Sequence, residues 1–445
     1  MSLTRALASL PVLLVAGPML AAQVFVVDAA GGAGSHFTDL PAAVSAVPNG
    51  ATLRVRAGDY RGFALYQKGI AIVGEGVVRV DIGISGTPIT VQGTAAHQPV
   101  LLKGLTLFAF PTEWHGSVAV RGAAGPVVLD SIDGDPADFL VDRSANVLFH
   151  GCSLISRNNF YSSSSVTLPP RLDVVDSVCE LSFCSVNGYD AIRNVFHDPI
   201  DGLPAMKLVR SRCVLTTSTL MGGLGSPGCN LHGGPWRCWI SPPGRGGVGV
   251  QAEASTLVIR ASTIAGARGH AAWMDVAGPV PAGDGGDGLV LSNGSRATAL
   301  RSTIEGGPGG LPNGRNGVPL IFDATSTFVA DANARPTSLE LRGHHARGGS
   351  ADFVLLGAAM SPAVLLFGYR GDVVPLEPIA FGSMLAAPAL VLGPFTLSSV
   401  GELRGSIPLS TTWPVGETYF AQALSVAPGT NAIWPSNRVV LHVNH

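Results

Sequence analysis

Charge is scarce in this chain. Only 13% of its 445 residues are Asp, Glu, Lys or Arg, against about 25% in an ordinary soluble domain. The formal net charge is −2, so there is no basic stripe for nucleic acid or for an anionic membrane surface, and neither is expected as a partner. Lysine occurs only at positions 68, 103 and 207, while arginine occurs 25 times. That bias reads as the codon usage of a GC-rich bacterial genome. Long apolar runs are missing beyond the first residues. Phe353 to Tyr369 comes nearest, and Gly357, Ser361, Pro362 and Gly368 cut it into pieces that suit two strands, which excludes a transmembrane helix there.

Glycine and proline are abundant instead, at 57 and 32 residues, one position in five. Such punctuation produces many short elements and argues against long helices. With 46% apolar residues the chain can bury a core, which excludes disorder. Its length predicts two or three domains.

The start reads as an export signal over residues 1–22. Arg5 supplies the positive charge, Leu7 to Leu20 is an apolar stretch broken by Pro11 and Pro18, and Ala21 and Ala22 precede an expected cleavage before Gln23. A secreted or cell-surface location follows. Six cysteines, an even number, fit an oxidising compartment. Cys229 and Cys238 share one Gly/Pro-rich insertion and are expected to form a disulfide contributing about 2–3 kcal/mol on the chain-entropy model. The pairing of Cys152, Cys179, Cys184 and Cys213 is left open. His232 between Cys229 and Cys238 lacks the partners a zinc site needs, so no metal is expected.

An internal repeat decides the fold class. The segments HGCSLIS (150–156), SFCSVNG (182–188), TTSTLMGG (216–223), RASTIAG (260–266) and LRSTIEGG (300–307) align. Cys152, Cys184, Ser218, Ser262 and Ser302 form one column. Ser153, Ser185, Thr219, Thr263 and Thr303 form the next, followed by Leu154, Val186, Leu220, Ile264 and Ile304. LDSIDG (129–134) and KGLTLF (103–108) fit more loosely, with Asp130 placed in the first column. A coil of about 22 residues, lengthened by Gly/Pro-rich insertions at 222–247 and 266–288, accounts for the uneven spacing. Alternation such as Leu257-Val258-Ile259-Arg260 is strand periodicity.

These features predict an all-β chain: a parallel β-helix whose stacked coils bury Leu, Ile and Val, with the Ser/Thr/Cys columns as hydrogen-bonded ladders. A short helix is expected within FTDLPAAVSAVPNG (37–50), capped by Thr38, with Leu40, Ala43, Val44 and Val47 plugging the first coil. From Thr337 the pattern changes to strand-like runs between Pro and Gly turns, the spacing of a β-sandwich. The expected organisation is a signal peptide (1–22), a parallel β-helix (23–336) and a C-terminal β-sandwich (337–445).

The opening Gly50-Ala51-Thr52-Leu53-Arg54-Val55, Ala57-Gly58-Asp59-Tyr60, Lys68-Gly69-Ile70 and Ile72-Val73-Gly74-Glu75-Gly76 resembles right-handed parallel β-helix proteins of the pectin lyase-like superfamily. The segment 416–423 followed by Ser436-Asn437 resembles a C-terminal sandwich module of secreted proteins of environmental bacteria. The superfamily resemblance implies fold more than activity, because that fold carries many functions.

Its catalytic motifs are incomplete here. Gly58-Asp59-Tyr60-Arg61-Gly62 lacks the Glu of the esterase opening, and Asp138-Phe139-Leu140-Val141-Asp142 matches the esterase Asp motif only partly. Trp273-Met274-Asp275-Val276 loses the His of the lyase stretch, and the polygalacturonase set is missing. The acidic run Asp130, Asp133, Asp135, Asp138 and Asp142 reads as solvated turn residues; a Ca²⁺ site or an acid/base pair is the competing reading.

Trp114, Trp236, Trp239 and Trp273 all fall in loops, where an exposed indole stacks on a sugar ring, or else pins its loop to the wall. Asp190, His197, Asp198 and Asp201 share another insertion. Trp236, Trp239, Trp273, Asp198 and Asp201 are therefore the candidate ligand-binding residues. The reading is a protein that binds or displays, with a polysaccharide or cell-surface glycan as partner and no cofactor. The alternative is a polysaccharide lyase or glycoside hydrolase with divergent site residues. For a lyase the resemblance implies Ca²⁺ and a basic residue, with Lys103, Lys207 and Arg210 as candidates.

Overall fold

The computed structural model describes residues 23–83, 88–108, 116–135, 137–155, 169–190, 201–226, 229–230, 239–240, 243–275, 278–342, 346, 348–368, 373–375, 383–385, 390–409, 418–426 and 433–443. The expected export signal lies outside them.

Three parallel ladders carry the fold. The first runs through Val24–Val27, Thr52–Arg61, Ala71–Asp81, Val100–Phe108, Val127–Asp130, Val147–His150, Val178–Ser182, Arg212–Thr216, Thr256–Arg260, Arg296–Leu300 and Thr327–Asp331. The second leaves the far end of Val100–Phe108 and continues through Asp133–Asp135, Ser153–Leu154, Ser185–Asn187, Thr219–Met221, Thr263–Ala265 and Thr303–Glu305. Together they make a 17-stranded sheet. The third is a 9-stranded sheet from Ala64–Tyr66 through Ile89–Gln92, Gly116–Arg121, Ala137–Asp142, Leu172–Val175, Met206–Val209, Val250–Glu253 and Leu289–Ser292 to Leu320–Phe322. The chain visits the ladders in turn, and these stacked parallel sheets fit a β-solenoid.

Period-two alternation sets which side chains go inside. Leu257 and Ile259 are fully buried and join one apolar cluster with Leu53, Ile72, Val91, Val118, Leu181 and Leu215, drawn from both sheets. Each such side chain contributes roughly 1.5–3 kcal/mol. The repeat columns are vertical neighbours: Ser153, Ser185, Thr219, Thr263 and Thr303 pair in succession. In the neighbouring column the Cys184 N–H donates to Ser218 Oγ at 3.1 Å, Ser218 N–H to Ser262 Oγ at 3.0 Å, and Ser262 N–H to Ser302 Oγ at 3.2 Å. The earlier rung stacks differently from its sequence alignment. Ser153 pairs with Asp133, so Ile132, two residues beyond Asp130, takes the place beside Cys152.

A second serine ladder escapes the repeat alignment. Backbone N–H groups of Ser144, Ser177, Ser211, Ser255 and Ser295 donate in succession to the Oγ of Ser177, Ser211, Ser255, Ser295 and Ser326, at 3.0–3.1 Å. Both ladders follow a sharp corner made by one residue in the left-handed region. Arg143, Asp176, Arg210 and Ala254 occupy one corner, and Phe183, Thr217, Ala261 and Arg301 the other. That conformation costs about 1–2 kcal/mol for a non-glycine residue. Each coil offsets part of the cost with a hydrogen bond to the next, as when the Thr217 N–H donates to Arg260 O at 2.9 Å.

The early helix spans Leu40–Ala46 and buries Leu40, Ala43 and Val44 on the solenoid cluster. Its N-cap is Asp39, not Thr38; no side chain caps it, and the Asp39 carboxylate accepts from Arg61 Nε at 2.9 Å. Lys68 Nζ donates to the carbonyls of Val44 and Val47, both at 2.8 Å, satisfying the other end.

Beyond residue 337 the strands are antiparallel. Ser338–Arg342, Ser350–Leu356 and Glu402–Pro408 form one sheet; Leu390–Thr396, Pro362–Gly368, Thr418–Val426 and Ile433–His442 form another. Leu339, Phe353, Leu355, Leu365, Phe367 and Val439 share one apolar cluster between them. Asn437, singled out in the sequence, joins the sheets: its Oδ1 accepts the Leu339 N–H and its Nδ2 donates to Leu339 O, both at 2.8 Å. Leu366 and Phe420 of the four-stranded sheet pack on Ala71, Val73, Leu101, Val128 and Leu148, which point outward from the first ladder.

Cys152, Cys179, Cys184 and Cys213 are buried free thiols, and no disulfide occurs among the described residues. Cys179 and Cys213 stand in register on adjacent strands. Burial pushes the Cys152 and Cys179 thiols well above their ordinary range. Cys238 lies outside the described residues, and Cys229 is described only as part of its strand.

Candidate functional site at the long-insertion corner

The longest connections fall at one corner. Between the first and second ladders the chain spends two residues per coil, as at 131–132, 183–184, 217–218 and 261–262. Between the third and first it spends two to four in the later coils, as at 176–177, 210–211 and 254–255. Between the second and third, the excursions are 155–171, 188–205, 222–249, 266–288 and 306–319. Of the candidate ligand-binding residues, Asp201, Trp239 and Trp273 lie on described parts of these excursions, so the topology collects these three on one side of the molecule.

Glycine packs the excursions against one another. A ladder of backbone bonds runs from the Gly223 N–H to Leu203 O (2.9 Å), Gly247 N–H to Gly223 O (2.7 Å), Ala267 N–H to Gly247 O (2.9 Å), Gly286 N–H to Ala267 O (2.8 Å), Gly307 N–H to Gly286 O (2.7 Å) and Gly317 N–H to Gly307 O (2.8 Å). The chains approach too closely for a side chain. A Cβ on Gly223 would lie 1.8 Å from Tyr189 O, and one on Gly317 would lie 1.8 Å from Gly286 O.

Carboxylates tie successive excursions together. Asp190 accepts the Leu224 N–H at 2.7 Å, Asp201 the Arg245 N–H at 2.7 Å, Asp284 the Arg315 N–H at 2.8 Å and Asp287 the Val318 N–H at 2.8 Å. Asp201 thus sits at this corner with one oxygen engaged by the backbone. Cys229–Asn230 pairs antiparallel with Trp239–Ile240, and Trp273–Asp275 pairs antiparallel with Gly278–Val280. Strands Trp239–Ile240 and Gly278–Val280 are neighbours, which places Trp239 and Trp273 on adjoining hairpins. Trp114, Trp236, His197 and Asp198 lie outside the described residues.

A polar cluster lies where the same corner joins the third ladder. Arg171, fully buried, donates from Nη1 to Ala137 O at 2.9 Å and to Tyr189 Oη at 2.6 Å, and its guanidinium lies 3.9 Å over the Tyr189 ring. Asp138 stands beside both. Burial pushes its carboxyl up to about 7, against the opposing pull of a hydrogen bond from Tyr189 and the charge of Arg171. Burial raises the Tyr189 phenol as well.

The remaining candidates do not converge. Asp130 is on the first ladder, Asp133 and Asp135 on the second, and Asp138 and Asp142 on the third, so the acidic run is spread over three sides. Lys103 pairs with Asp130 at 2.8 Å on the first ladder. Lys207 belongs to the third ladder, and Arg210 pairs with Asp176 at 2.7 Å on a tight corner. Among the described residues no three His, Cys, Asp or Glu side chains come together as a metal site, and no helix is long and apolar enough to cross a membrane. Sequence reasoning missed the Asp138, Arg171 and Tyr189 cluster, whose members come from three separate segments and meet only through strand register.

No protein-family model matches the chain, and no curated protein or solved structure matches it either.

Proposed function

We propose that this chain is a secreted or cell-surface right-handed parallel β-helix protein of the pectin lyase-like superfamily that binds carbohydrate along its long-insertion corner. In this reading the coils are closed, the helix Leu40–Ala46 covers the first of them, and the two antiparallel sheets form a C-terminal β-sandwich. The observation that carries it is the gathering of every long excursion, with Trp239 and Trp273 on adjoining hairpins, at a single corner. Indole rings suit sugar rings, which present one apolar face and a rim of hydroxyls.

The test is a glycan array with the full chain, followed by titration of the strongest ligand into Trp239→Ala and Trp273→Ala. Losing one stacking contact weakens binding about tenfold. Absence of any glycan ligand, or equal affinity in both variants, overturns the reading.

Cleavage of a polysaccharide is the second reading, favoured by the Asp138 carboxyl, which burial pushes up to about 7, the range in which a general acid works. Incubation with uronic-acid and neutral polymers, with and without chelator, followed by ultraviolet absorbance and reducing-end assays, tests it. Product release abolished by Asp138→Asn supports it; no product from any polymer ends it.

A further inference from the structure

Side chains on the first ladder alternate between the interior and the outward face. In Val147–His150, Phe149 belongs to the interior cluster, while Leu148 packs outward with Leu366 and Phe420 of the C-terminal sheets. His150 therefore points outward too, beside that contact. It is one rung of an outward column, Asp130, His150, Ser182, Thr216 and Arg260, in register on successive strands. The C-terminal sheets close over this column: Ser182 and Thr216 are buried, and Arg260 Nη1 donates to Pro435 O. The His150 ring meets Phe183 edge to face, with centroids 5.6 Å apart, and its Nδ1 is buried without a hydrogen-bond partner among the described residues.

We propose that His150 is an acid-sensitive latch, whose protonation loosens the C-terminal sheets from the solenoid wall. An imidazolium donates from both ring nitrogens, and no acceptor stands at Nδ1. The carboxylates on the neighbouring strands are engaged elsewhere. Asp130 pairs with Lys103 at 2.8 Å and accepts from Ser131 Oγ at 3.0 Å, and Glu180 is held by Arg438. Glu340, on Ser338–Arg342, is the acidic group whose charge reaches His150 from the C-terminal side, while Lys103 opposes an added positive charge. Burial outweighs the three carboxylates and holds the ring below the ordinary histidine value of 6.5. The closed interface therefore binds fewer protons than an open one, in which His150 meets water. Docking is tightest above that ordinary value and weakens as pH falls through it toward the lowered one. Release leaves the coils stacked and uncovers Ala71, Val73, Leu101, Val128 and Leu148.

The experiment follows hydrogen exchange of the full chain from about pH 8 to about pH 5, with rates corrected for the pH dependence of exchange in an unfolded peptide. The Arg438 amide, bonded to Glu180 across the interface, reports docking. The Ser218 and Ser262 amides, bonded within a serine ladder, report the coils. The proposal expects protection at Arg438 to fall by up to about tenfold per pH unit below the ordinary histidine value, while the ladder amides hold. His150→Gln and His150→Phe, neutral throughout, should keep Arg438 protected to the acid end, with circular dichroism to check folding. Flat protection at Arg438 in the native chain, the same loss in both variants, or a parallel loss at the ladder amides overturns the proposal.

Discussion

Arg438 holds Glu180 through two donors. Its backbone N–H lies 2.9 Å from Oε1 and its Nε 2.8 Å from Oε2, while Nη1 donates to Asn146 Oδ1 at 2.6 Å. The two residues are 258 positions apart, and both side chains are at most 10% exposed. With Arg260 Nη1 donating to Pro435 O at 2.6 Å, this contact fixes the C-terminal sheets to the outward side of the first ladder. The C-terminal sheets thus cover that side of the first ladder.

Arg438→Met leaves the Glu180 carboxylate buried without its cation. Removing one member of a buried pair costs about 3–5 kcal/mol. Denaturant unfolding of the full chain should show that loss, with a smaller one when Glu180→Gln accompanies Arg438→Met.

Gly317→Ala forces a methyl group against the Gly286 carbonyl, which belongs to a neighbouring excursion and not to a movable side chain. Overpacking of this kind costs about 1–3 kcal/mol. The thermal midpoint should fall, and hydrogen exchange at the Gly286, Gly307 and Gly317 amides should accelerate.

Ser211→Ala deprives the buried Ser177 N–H of its acceptor, now 3.1 Å away. An orphaned donor of this type costs about 1–3 kcal/mol. Ser302→Ala, at the half-buried last rung of the other ladder, should cost less in the same unfolding assay.

Asp138 makes stability depend on pH. Its carboxyl has an ordinary value of 3.8 and is raised to about 7 in the fold, so between those limits the native state binds more protons than the unfolded chain. The contribution therefore favours folding most at the acid side, declines as pH rises through that window, and levels off above it. Asp138→Asn should flatten this component in unfolding measured across the window. An unchanged slope in the variant would show that another group is responsible.

The stack of parallel strands is legible wherever each repeat carries the same small polar residue beside the same apolar one. Ser218, Thr219 and Leu220 recur as Ser262, Thr263 and Ile264, and the strands stack in that register. The ladder of Ser144 to Ser326 was harder to see, because the corner before it uses Arg143, Asp176, Arg210 and Ala254, which share no side-chain chemistry and give no turn signature. The glycine-rich stretches were read as insertions, since hydrogen bonds between distant excursions leave no local period. Thr38 reads as a cap, but the helix begins one residue later, with Asp39 as the N-cap and its carboxylate bound by Arg61. Of the candidate site, the sequence marked Trp239, Trp273 and Asp201; that they share a corner follows from the ladder order alone.

Because the longest excursions leave and rejoin the wall at a single vertex, the parallel ladders keep their register from coil to coil. Insertions and deletions at that vertex can alter reach and chemistry without shifting the registers that hold the wall. Evolutionary or engineered diversification therefore has one place to act, and loop grafts made there should be tolerated where equal changes at the tight serine corners would unseat the stack.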